Sequence, residues 1–247
     1  MAETKENRMN TTKFEKKQTR VVAHRGLSGI EKENTASAFV AAGNRSYFGI
    51  ETDIHRTADG RFIICHDASL LRVAGENLNV EEVSLALSQS ATLFDTDGTK
   101  GRADLVTPTL ENYLCICKKY EKHCVLELKS DFTDEEIAKI VGIVSERYSL
   151  ADVTFISFLY ENLTKIRALL PEQSVQFLFG EFTDEIVERT LADKMDIDVY
   201  FPALTREMVD LYHKNGRVVN CWTVNTAEDG ERLAEMGVDF ITTNILE

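Results

Sequence analysis

The chain alternates between strand-like and helix-like segments along almost its whole length, and this alternation constrains its fold more than any other feature. Strands separated by helices are parallel and are joined by right-handed crossovers. Eight such units in 247 residues predict an α/β fold of the (β/α)8 TIM barrel type. An open doubly wound sheet is disfavoured because no Gly-x-Gly-x-x-Gly motif follows the first strand. The eight strand-like runs, rich in apolar and β-branched residues, are Val21–His24, Gly49–Ile54, Cys124–Leu128, Val153–Phe158, Val175–Phe179, Ile197–Phe201, Arg217–Val224 and Val238–Thr242.

Several segments between these runs carry the start and stop signals of helices. Thr133 is followed three residues later by Glu136, which is the spacing of a capping box. Thr107-Pro108 offers a capping hydroxyl before a proline at the first helical position. Glycine follows the helix-like segments at Asn215-Gly216 and Met236-Gly237, where a left-handed residue is expected to end a helix.

The second strand is predicted to continue into a hairpin. Asp59-Gly60 is a turn dipeptide inside the run 51–67, and counting outward from a tight turn pairs Asp53 with His66. The stretch that follows, residues 68–105, is too long for an ordinary connection. It is therefore predicted to be a small inserted subdomain on the catalytic face of the barrel, where it would shape the substrate pocket.

Two local structures are predicted within the insert. Val80–Leu87 has a helix-like pattern, and Asp95–Gly98 reads as a polar turn. Residues 1–19 are predicted to be a polar, loosely attached N-terminal arm, and residues 20–247 a single barrel domain.

Composition excludes several classes of function. Acidic side chains number 41 against 28 basic ones, for a net charge of −13, and this argues against a nucleic-acid partner. No apolar run approaches the roughly 20 residues that span a bilayer. The first twenty residues are polar rather than signal-like, so the expected location is the cytoplasm.

The cysteines lack the paired spacing of a zinc site and are predicted to be buried thiols: Cys65, Cys115, Cys117, Cys124 and Cys221.

Carboxylates stand at the predicted ends of two strands. Glu51 and Asp53 alternate on the second strand, and Glu127 stands on the third with Lys129 two residues later. Alternate positions share a face, and strand ends meet at the active-site face of a barrel. Burying three carboxylates there is costly unless a hard cation such as Mg2+ or Ca2+ binds them. The alternative is a cluster of salt bridges around Lys129 and Arg25.

Two histidines also stand at strand ends. His24 ends the first strand, and His66 ends the hairpin. A pair of imidazoles beside a metal and a guanidinium is suited to moving protons on both sides of a phosphodiester. The other histidines lack such neighbours and are predicted to be surface or packing residues: His55, His123 and His213.

Together these residues resemble the glycerophosphodiester phosphodiesterases, over nearly the whole chain from Val21. The motifs stand in order at compatible spacing, and any one of them alone would be weak. They are His24-Arg25-Gly26, Glu33-Asn34-Thr35, Glu51-Thr52-Asp53, Thr57–Gly60 with His66-Asp67, Pro108–Glu111, Glu127-Leu128-Lys129, Trp222–Asn225 and Gly237–Thr243.

The resemblance implies a metal-dependent hydrolase that cleaves glycerophosphodiesters to glycerol 3-phosphate and an alcohol on a barrel fold. Its metal ligands would be Glu51, Asp53 and Glu127. Its general acid/base pair would be His24 and His66. The cofactor would be one divalent cation, for which Mg2+, Ca2+ and Mn2+ all suit carboxylate ligands.

Further roles follow from the same resemblance. Arg25 and Lys129 would contact the phosphate, Trp222 would form an aromatic wall against the glycerol carbons, and Glu33 would support the first loop by orienting Arg25. Asn34-Thr35 would cap the following helix. The partner is a small molecule, with no nucleic acid and no membrane span, and no oligomeric state is predicted.

Two other functions are compatible with the same residues. A lysophospholipase D-like enzyme would need an apolar groove, for which Leu78, Leu85, Leu87 and Phe94 of the insert are candidates, unless they form the insert's own core. A non-catalytic barrel could bind phosphodiesters without turnover. One departure from the family pattern is Asn244, which follows Thr242-Thr243 where an aspartate is common, so a support contact is in doubt at this position.

Overall fold

The computed structural model describes residues 10–247, and these form a closed parallel barrel. All eight predicted strands are present within two residues of their predicted ends. The first and second strands pair through Val22 and Gly49, which closes the barrel. The short strand β3 (Phe62–Ile64) lies antiparallel to the second strand at the rim. The barrel strands are β1 (Arg20–Ala23), β2 (Gly49–Arg56), β4 (His123–Leu128), β5 (Val153–Ser157), β6 (Val175–Phe179), β7 (Asp196–Tyr200), β8 (Val219–Trp222) and β9 (Phe240–Thr243).

Helices surround the barrel and bury the outward-facing side chains of its strands. Leu126 and Leu128 of β4 are buried in the layer between barrel and helices, as their alternation with charged residues predicts. The helices in the described part of the chain are α1 (Ala36–Gly43), α2 (Leu71–Ala74), α3 (Leu85–Ser90), α4 (Leu110–Tyr120), α5 (Asp134–Arg147), α6 (Tyr160–Leu169), α7 (Asp184–Ala192), α8 (Arg206–Lys214) and α9 (Ala227–Met236).

The predicted helix signals are correct in most places. Thr133 and Glu136 form the expected capping box at α5, and Gly237 ends α9 in the left-handed conformation. The predicted start of α4 at Thr107-Pro108 is wrong. The helix begins two residues later, because Thr109 accepts the backbone N–H of Asn112 and completes its own capping box.

The hairpin register differs from the prediction by one residue. The backbone N–H of Thr57 donates to the carbonyl of Arg61 at 2.8 Å, so the loop holds three residues rather than two. Asp53 therefore pairs with Cys65, whose N–H donates to the Asp53 carbonyl at 3.1 Å. His66 lies one residue beyond the paired segment.

Residues 68–105 carry a small apolar core of their own above the hairpin. Its buried residues include Leu70, Val80 and Leu93, and Leu78 and Leu85 pack against them. The prediction of a helix over Val80–Leu87 is wrong. The helix here is α3, which begins only after Ser84 because the Ser84 hydroxyl caps it. The polar turn at Asp95–Gly98 is present, with the Gly98 N–H donating to the Asp95 carbonyl.

The N-terminal arm is only partly described, because residues 1–9 lie outside the described residues. Over 10–19 the predicted loose attachment is wrong. Thr12 forms a parallel bridge with Leu246, and Phe14 packs against the apolar core of the barrel. This apolar contact, together with the backbone hydrogen bonds of Thr12 to Ile245 and Glu247, holds the polar segment against the barrel.

Four of the five cysteines are buried thiols, as predicted. Cys115 is the exception. It is exposed on α4, because its position falls on the outer face of that helix, between the buried residues Leu114 and Cys117.

His123 opens β4, and its environment predicts a loss of stability in acid. Its Nε2 hydrogen-bonds Thr154 Oγ1 at 2.9 Å, and its ring stacks on Phe48 with centroids 5.0 Å apart. Burial lowers the pKa of His123 to about 4. As pH falls from about 6.5 towards 4, the unfolded chain takes up this proton first, so the free energy of unfolding decreases across that window.

Urea unfolding of the wild type and of His123→Gln, compared at about pH 7 and about pH 4.5, measures this contribution. Glutamine cannot titrate, so the variant is expected to lose less stability in acid than the wild type. An equal loss in both proteins would show that His123 does not carry the effect.

Candidate active site

Three carboxylates meet at the carboxyl ends of β2 and β4. Glu51 and Asp53 lie on β2, and Glu127 is the direct neighbour of Asp53 in the register between the strands. One oxygen from each lies within 4.8 Å of the others. All three are buried, with exposures of 2%, 0% and 8% in that order. The structure therefore brings together the three carboxylates that were expected to meet at the strand ends.

Local contacts compensate this buried charge only in part. The backbone N–H of Arg25 donates to Glu51 Oε2 at 2.7 Å, and Lys129 Nζ lies 2.9 Å from Glu127 Oε1. Arg25 Nε and Lys129 Nζ lie 3.5 and 3.7 Å from the Asp53 carboxylate. Among described residues, Asp53 Oδ1 has no hydrogen-bond partner.

The carboxyl pKa values reflect this incomplete compensation. Burial and then Asp53 raise the pKa of Glu51, and the same two causes raise that of Glu127 to about 8. Burial also opposes ionisation of Asp53, but Arg25 and Lys129 lower its pKa. A salt-bridge cluster therefore exists, as the alternative predicted, yet its two cations do not balance three ionised carboxylates. The Glu51–Asp53–Glu127 triad can hold a metal ion, and oxygen ligands of this kind suit a hard divalent cation.

His24 follows β1 directly and faces this triad. Its Nε2 lies 4.0 Å from Glu51 Oε2, and its Nδ1 is 2.7 Å from Asn244 Oδ1. With Nδ1 donating to the amide oxygen, Nε2 is left as the nitrogen that faces the cavity. Burial and the neighbouring Arg25 lower the pKa of His24 to about 4.

His66 reaches the same cavity from the end of the hairpin. Its Nδ1 is 2.6 Å from Asp67 Oδ1, which leaves its Nε2 for other partners. Burial lowers the pKa of His66, and the Asp53 charge opposes this shift. The two imidazoles, far apart in the sequence, therefore line one cavity beside the triad.

The turn after His24 directs Arg25 towards the acidic groups. Arg25 has φ of 56° and Gly26 has φ of 77°, and a Cβ on Gly26 would meet the Ala38 backbone at 2.7 Å. Glycine is therefore required at this turn. Arg25 Nη1 donates to Glu33 Oε1 at 3.0 Å, so Glu33 does contact the side chain that it was predicted to orient.

Aromatic side chains line the other side of the cavity. Trp222 at the end of β8 lies 5.7 Å from Phe158 and 5.5 Å from Tyr200, measured between ring centroids. Its indole N–H donates to the Asp198 carbonyl at 3.3 Å. Trp222 is thus a partly exposed wall of the cavity, and it also packs against the buried apolar cluster of Val22, Val125, Ile156 and Leu178.

Three polar residues of the site were missed or misjudged from the sequence. Asn34 is buried and donates from Nδ2 to Asp53 Oδ2 at 2.7 Å, whereas only Thr35 caps α1. Asn244 stands where an aspartate is common, and its Oδ1 lies 2.7 Å from His24 Nδ1. An amide rather than a carboxylate therefore supports the histidine at this position. Asp198 lines the cavity from β7 with Oδ1 unpartnered among described residues. Burial, followed by the charge of Glu127, raises the pKa of Asp198.

Comparison with known proteins decides the family of this chain. The sequence profile of the Glycerophosphoryl diester phosphodiesterase family matches residues 24–247. The chain belongs to this family. It is accordingly an enzyme of the phosphoric diester hydrolase class, with glycerophosphodiester phosphodiesterase activity, as the resemblance of its motifs implied.

Individual family members match over most of their length. A glycerophosphodiester phosphodiesterase of Bacillus subtilis is 28% identical over 244 residues, covering 90% of this chain and 82% of that protein. One from Caldanaerobacter subterraneus is 26% identical, covering 92% and 94%. The structure of an Oleispira antarctica phosphodiesterase, in complex with the product sn-glycerol-3-phosphate, superposes with a TM-score of 0.83 at 24% identity, covering 91% and 92%. The last comparison shows that the barrel fold is shared.

Membrane insertion through a helix finds no support in the structure. Within residues 10–247, every helix is too short or too polar to cross a bilayer.

Proposed function

We propose that this phosphodiesterase hydrolyses glycerophosphodiesters, such as glycerophosphocholine or glycerophosphoethanolamine, to glycerol 3-phosphate and an alcohol, and that it requires one divalent cation. The observation that carries the proposal is the buried Glu51–Asp53–Glu127 triad, of which Glu51 and Glu127 line one cavity together with two imidazoles. The Oleispira phosphodiesterase of the same fold, with sn-glycerol-3-phosphate bound, supports a small glycerol phosphate as the ligand of this cavity.

The triad would hold the cation through one oxygen from each carboxylate. When bound, a divalent cation polarises a phosphoryl oxygen and offsets negative charge. Mg2+, Ca2+ and Mn2+ all suit such ligands. Asn34 supports the site by keeping Asp53 Oδ2 in a fixed direction through its 2.7 Å hydrogen bond.

Arg25 and Lys129 would bind the phosphate oxygens. Both cationic groups lie beside the triad, and Arg25 is held in place by Glu33. Fixed positive charge of this kind stabilises the charge that develops on the phosphoryl oxygens in the transition state. A protein with a net charge of −13 can thereby bind an anion, because the charge that matters is local.

His24 and His66 would move the two protons of the reaction. One imidazole takes a proton from the attacking hydroxyl, and the other gives one to the oxygen of the leaving alcohol. Each has its Nδ1 occupied by a neighbour, Asn244 or Asp67, so each presents Nε2 for proton transfer. The same assignment serves attack by water or by a hydroxyl of the substrate.

Trp222 would pack against the carbons of the glycerol group, since its ring lines the cavity next to the acidic groups. We further propose that residues 20–247 act as one domain, in which the insert 68–105 forms part of the rim of the site. Leu78 and Leu85 pack on the core of that insert. This packing removes two of the four candidate side chains from an acyl groove and so favours deacylated substrates over lysophospholipids, whereas Leu87 stays exposed on α3.

The experiment that tests this function uses purified protein stripped of metal with a chelator. Glycerophosphocholine, glycerophosphoethanolamine and a lysophosphatidylcholine are each offered with Mg2+, Ca2+ or Mn2+. We expect glycerol 3-phosphate to be released from the first two only when a cation is added. Full activity in the chelated protein would contradict the cation requirement.

Two other outcomes of the same panel would replace the proposed substrate. Faster cleavage of the lysophospholipid than of its deacylated counterpart would favour the lysophospholipase D-like function. Tight binding of every phosphodiester without release of product would favour a binding protein.

A further inference from the structure

Arg72, from the short helix α2 of the insert, holds two carboxylates at the rim of the site. Its Nη1 and Nη2 donate to the two oxygens of Glu33 at 2.8 Å each. Its Nε donates to Asp67 Oδ2 at 2.6 Å. Three nitrogens of one planar guanidinium are therefore used at once, two of them in a bidentate pair, which is the strongest and most directional arrangement available to arginine.

Each carboxylate held by Arg72 also holds a side chain of the proposed catalytic machinery. Glu33 Oε1 accepts from Arg25 Nη1 at 3.0 Å. Asp67 Oδ1 lies 2.6 Å from His66 Nδ1. A continuous chain of hydrogen bonds thus runs from Arg25 through Glu33, Arg72 and Asp67 to His66.

We infer that Arg72 is a positioning residue, which fixes Arg25 and His66 relative to one another without touching the substrate. The inference rests on the proposed function, in which Arg25 binds the phosphate and His66 transfers a proton. Those two residues lie on separate loops, after β1 and after the hairpin. Arg25 and both terminal nitrogens of Arg72 donate to the Glu33 carboxylate, so the bidentate pair with Arg72 fixes the direction of this carboxylate.

The charge state of both carboxylates suits this arrangement. Burial opposes the ionisation of Glu33, but the hydrogen bonds from Arg72 and the charge of Arg25 lower its pKa to about 2. Asp67 likewise has a pKa of about 2, because Arg72 and His66 outweigh the effect of burial. Both acids therefore stay ionised, and each can accept from two donors at once.

The attachment of the insert does not depend on Arg72. Glu81 of the insert accepts from the Ser130 hydroxyl at 2.5 Å and lies 2.8 Å from His55 Nδ1. Arg102 donates to Glu31 at 2.8 Å. These contacts would keep the insert on the barrel when the Arg72 side chain is shortened, so a loss of activity on substitution reports on positioning.

Arg102→Gln is a matched control for Arg72→Gln. Arg102 also joins the insert to the first loop, through its ion pair with Glu31, and it forms further ion pairs with Asp95 and Asp104 inside the insert. It differs in that none of these partners holds Arg25 or His66. The two substitutions therefore remove comparable surface ion pairs, and only one of them interrupts the chain to the site.

The test measures steady-state hydrolysis of glycerophosphocholine by the cation-loaded wild type, Arg72→Gln, Arg72→Ala and Arg102→Gln. Misplacing a reacting group by about 1 Å can cost about a hundredfold in rate, so kcat of Arg72→Gln is expected to fall between about tenfold and a hundredfold while KM changes less. Free guanidinium is expected to restore part of the kcat of Arg72→Ala, since a purely structural loss would not be rescued. Arg102→Gln is expected to stay within about twofold of the wild type.

The results separate this inference from the proposed function. A folded Arg72→Gln protein with wild-type kcat would overturn the inference, as would an equal loss of kcat in Arg102→Gln. An absence of rescue by guanidinium, together with a melting temperature well below that of the wild type, would make Arg72 a structural residue only. If the wild type itself released no glycerol 3-phosphate, both the proposed function and the inference would be contradicted.

Discussion

Glu51→Gln is expected to abolish cation-dependent hydrolysis and, with it, the stabilisation of the protein by added cation. The amide keeps the size of the side chain and can still accept the Arg25 N–H, but it removes one negative ligand from the triad. A cation at about 100 times its dissociation constant stabilises the wild type by about 2.7 kcal/mol, which for a domain of this size raises Tm by roughly 5–10 °C. Thermal unfolding with and without Mn2+ measures this shift, which the variant is expected to lose.

Without a cation, the expected stability difference has the opposite sign. Because burial and Asp53 raise the pKa of Glu51, its charged form is disfavoured in the folded state. The stability contributed by its carboxyl group is present in acid and is lost as pH rises above the ordinary value for a glutamate. The chelated Glu51→Gln protein is therefore expected to be at least as stable as the chelated wild type at neutral pH.

The control for this pair of measurements is Glu188→Gln, which changes an exposed glutamate on α7. It should leave both activity and the cation-induced Tm shift at wild-type values. A wild-type Tm shift in Glu51→Gln would exclude the triad as the cation site. A chelated variant much less stable than the wild type would instead show that Glu51 is needed for folding.

His24→Ala and His66→Ala are each expected to lower kcat by about 10²- to 10⁴-fold, the usual range for loss of a general acid or base. Cation-induced stabilisation should persist in both variants, because neither imidazole belongs to the triad. Steady-state kinetics with glycerophosphocholine measure the loss. His213→Ala is the control, since His213 pairs with Asp239 at the surface, away from the cavity.

A second substrate assigns the two histidines. A nitrophenyl ester of glycerol phosphate has a leaving group that needs no proton, so the variant that lacks the general acid should lose far less activity with it. The variant that lacks the general base should be equally impaired with both substrates. Near wild-type turnover of glycerophosphocholine by either variant would contradict the proposed role of that residue.

Much of the site could be predicted from local sequence because barrel geometry converts strand position into location. Glu51, Asp53 and Glu127 stand at strand ends, and strand ends of a closed parallel barrel converge. The same rule predicted that His24, at the end of the first strand, lies beside the triad. The hairpin register failed by one residue, because a three-residue loop and a two-residue loop are equally compatible with Asp59-Gly60.

Other site residues had no local signal. Asn34 reads as part of a helix cap, yet its left-handed backbone, with φ of 56°, turns its amide towards Asp53. In the sequence, nothing distinguishes Arg72 from the other charged residues of the insert. Its role depends on two carboxylates, Glu33 and Asp67, that are distant in sequence from one another and meet only when the insert folds over the hairpin.

What the sequence determined by itself was the alternation of strands and helices, hence the barrel, and the chemical types gathered at its active-site face. These follow from periodicity and from the fixed direction of side chains along a strand. What only the tertiary structure decided was the set of partners: Asn244 on His24, Asp67 on His66, and Arg72 between the loops. Such contacts are set by distances of about 3 Å between loops, and loop paths depend on packing across the whole rim rather than on local pattern.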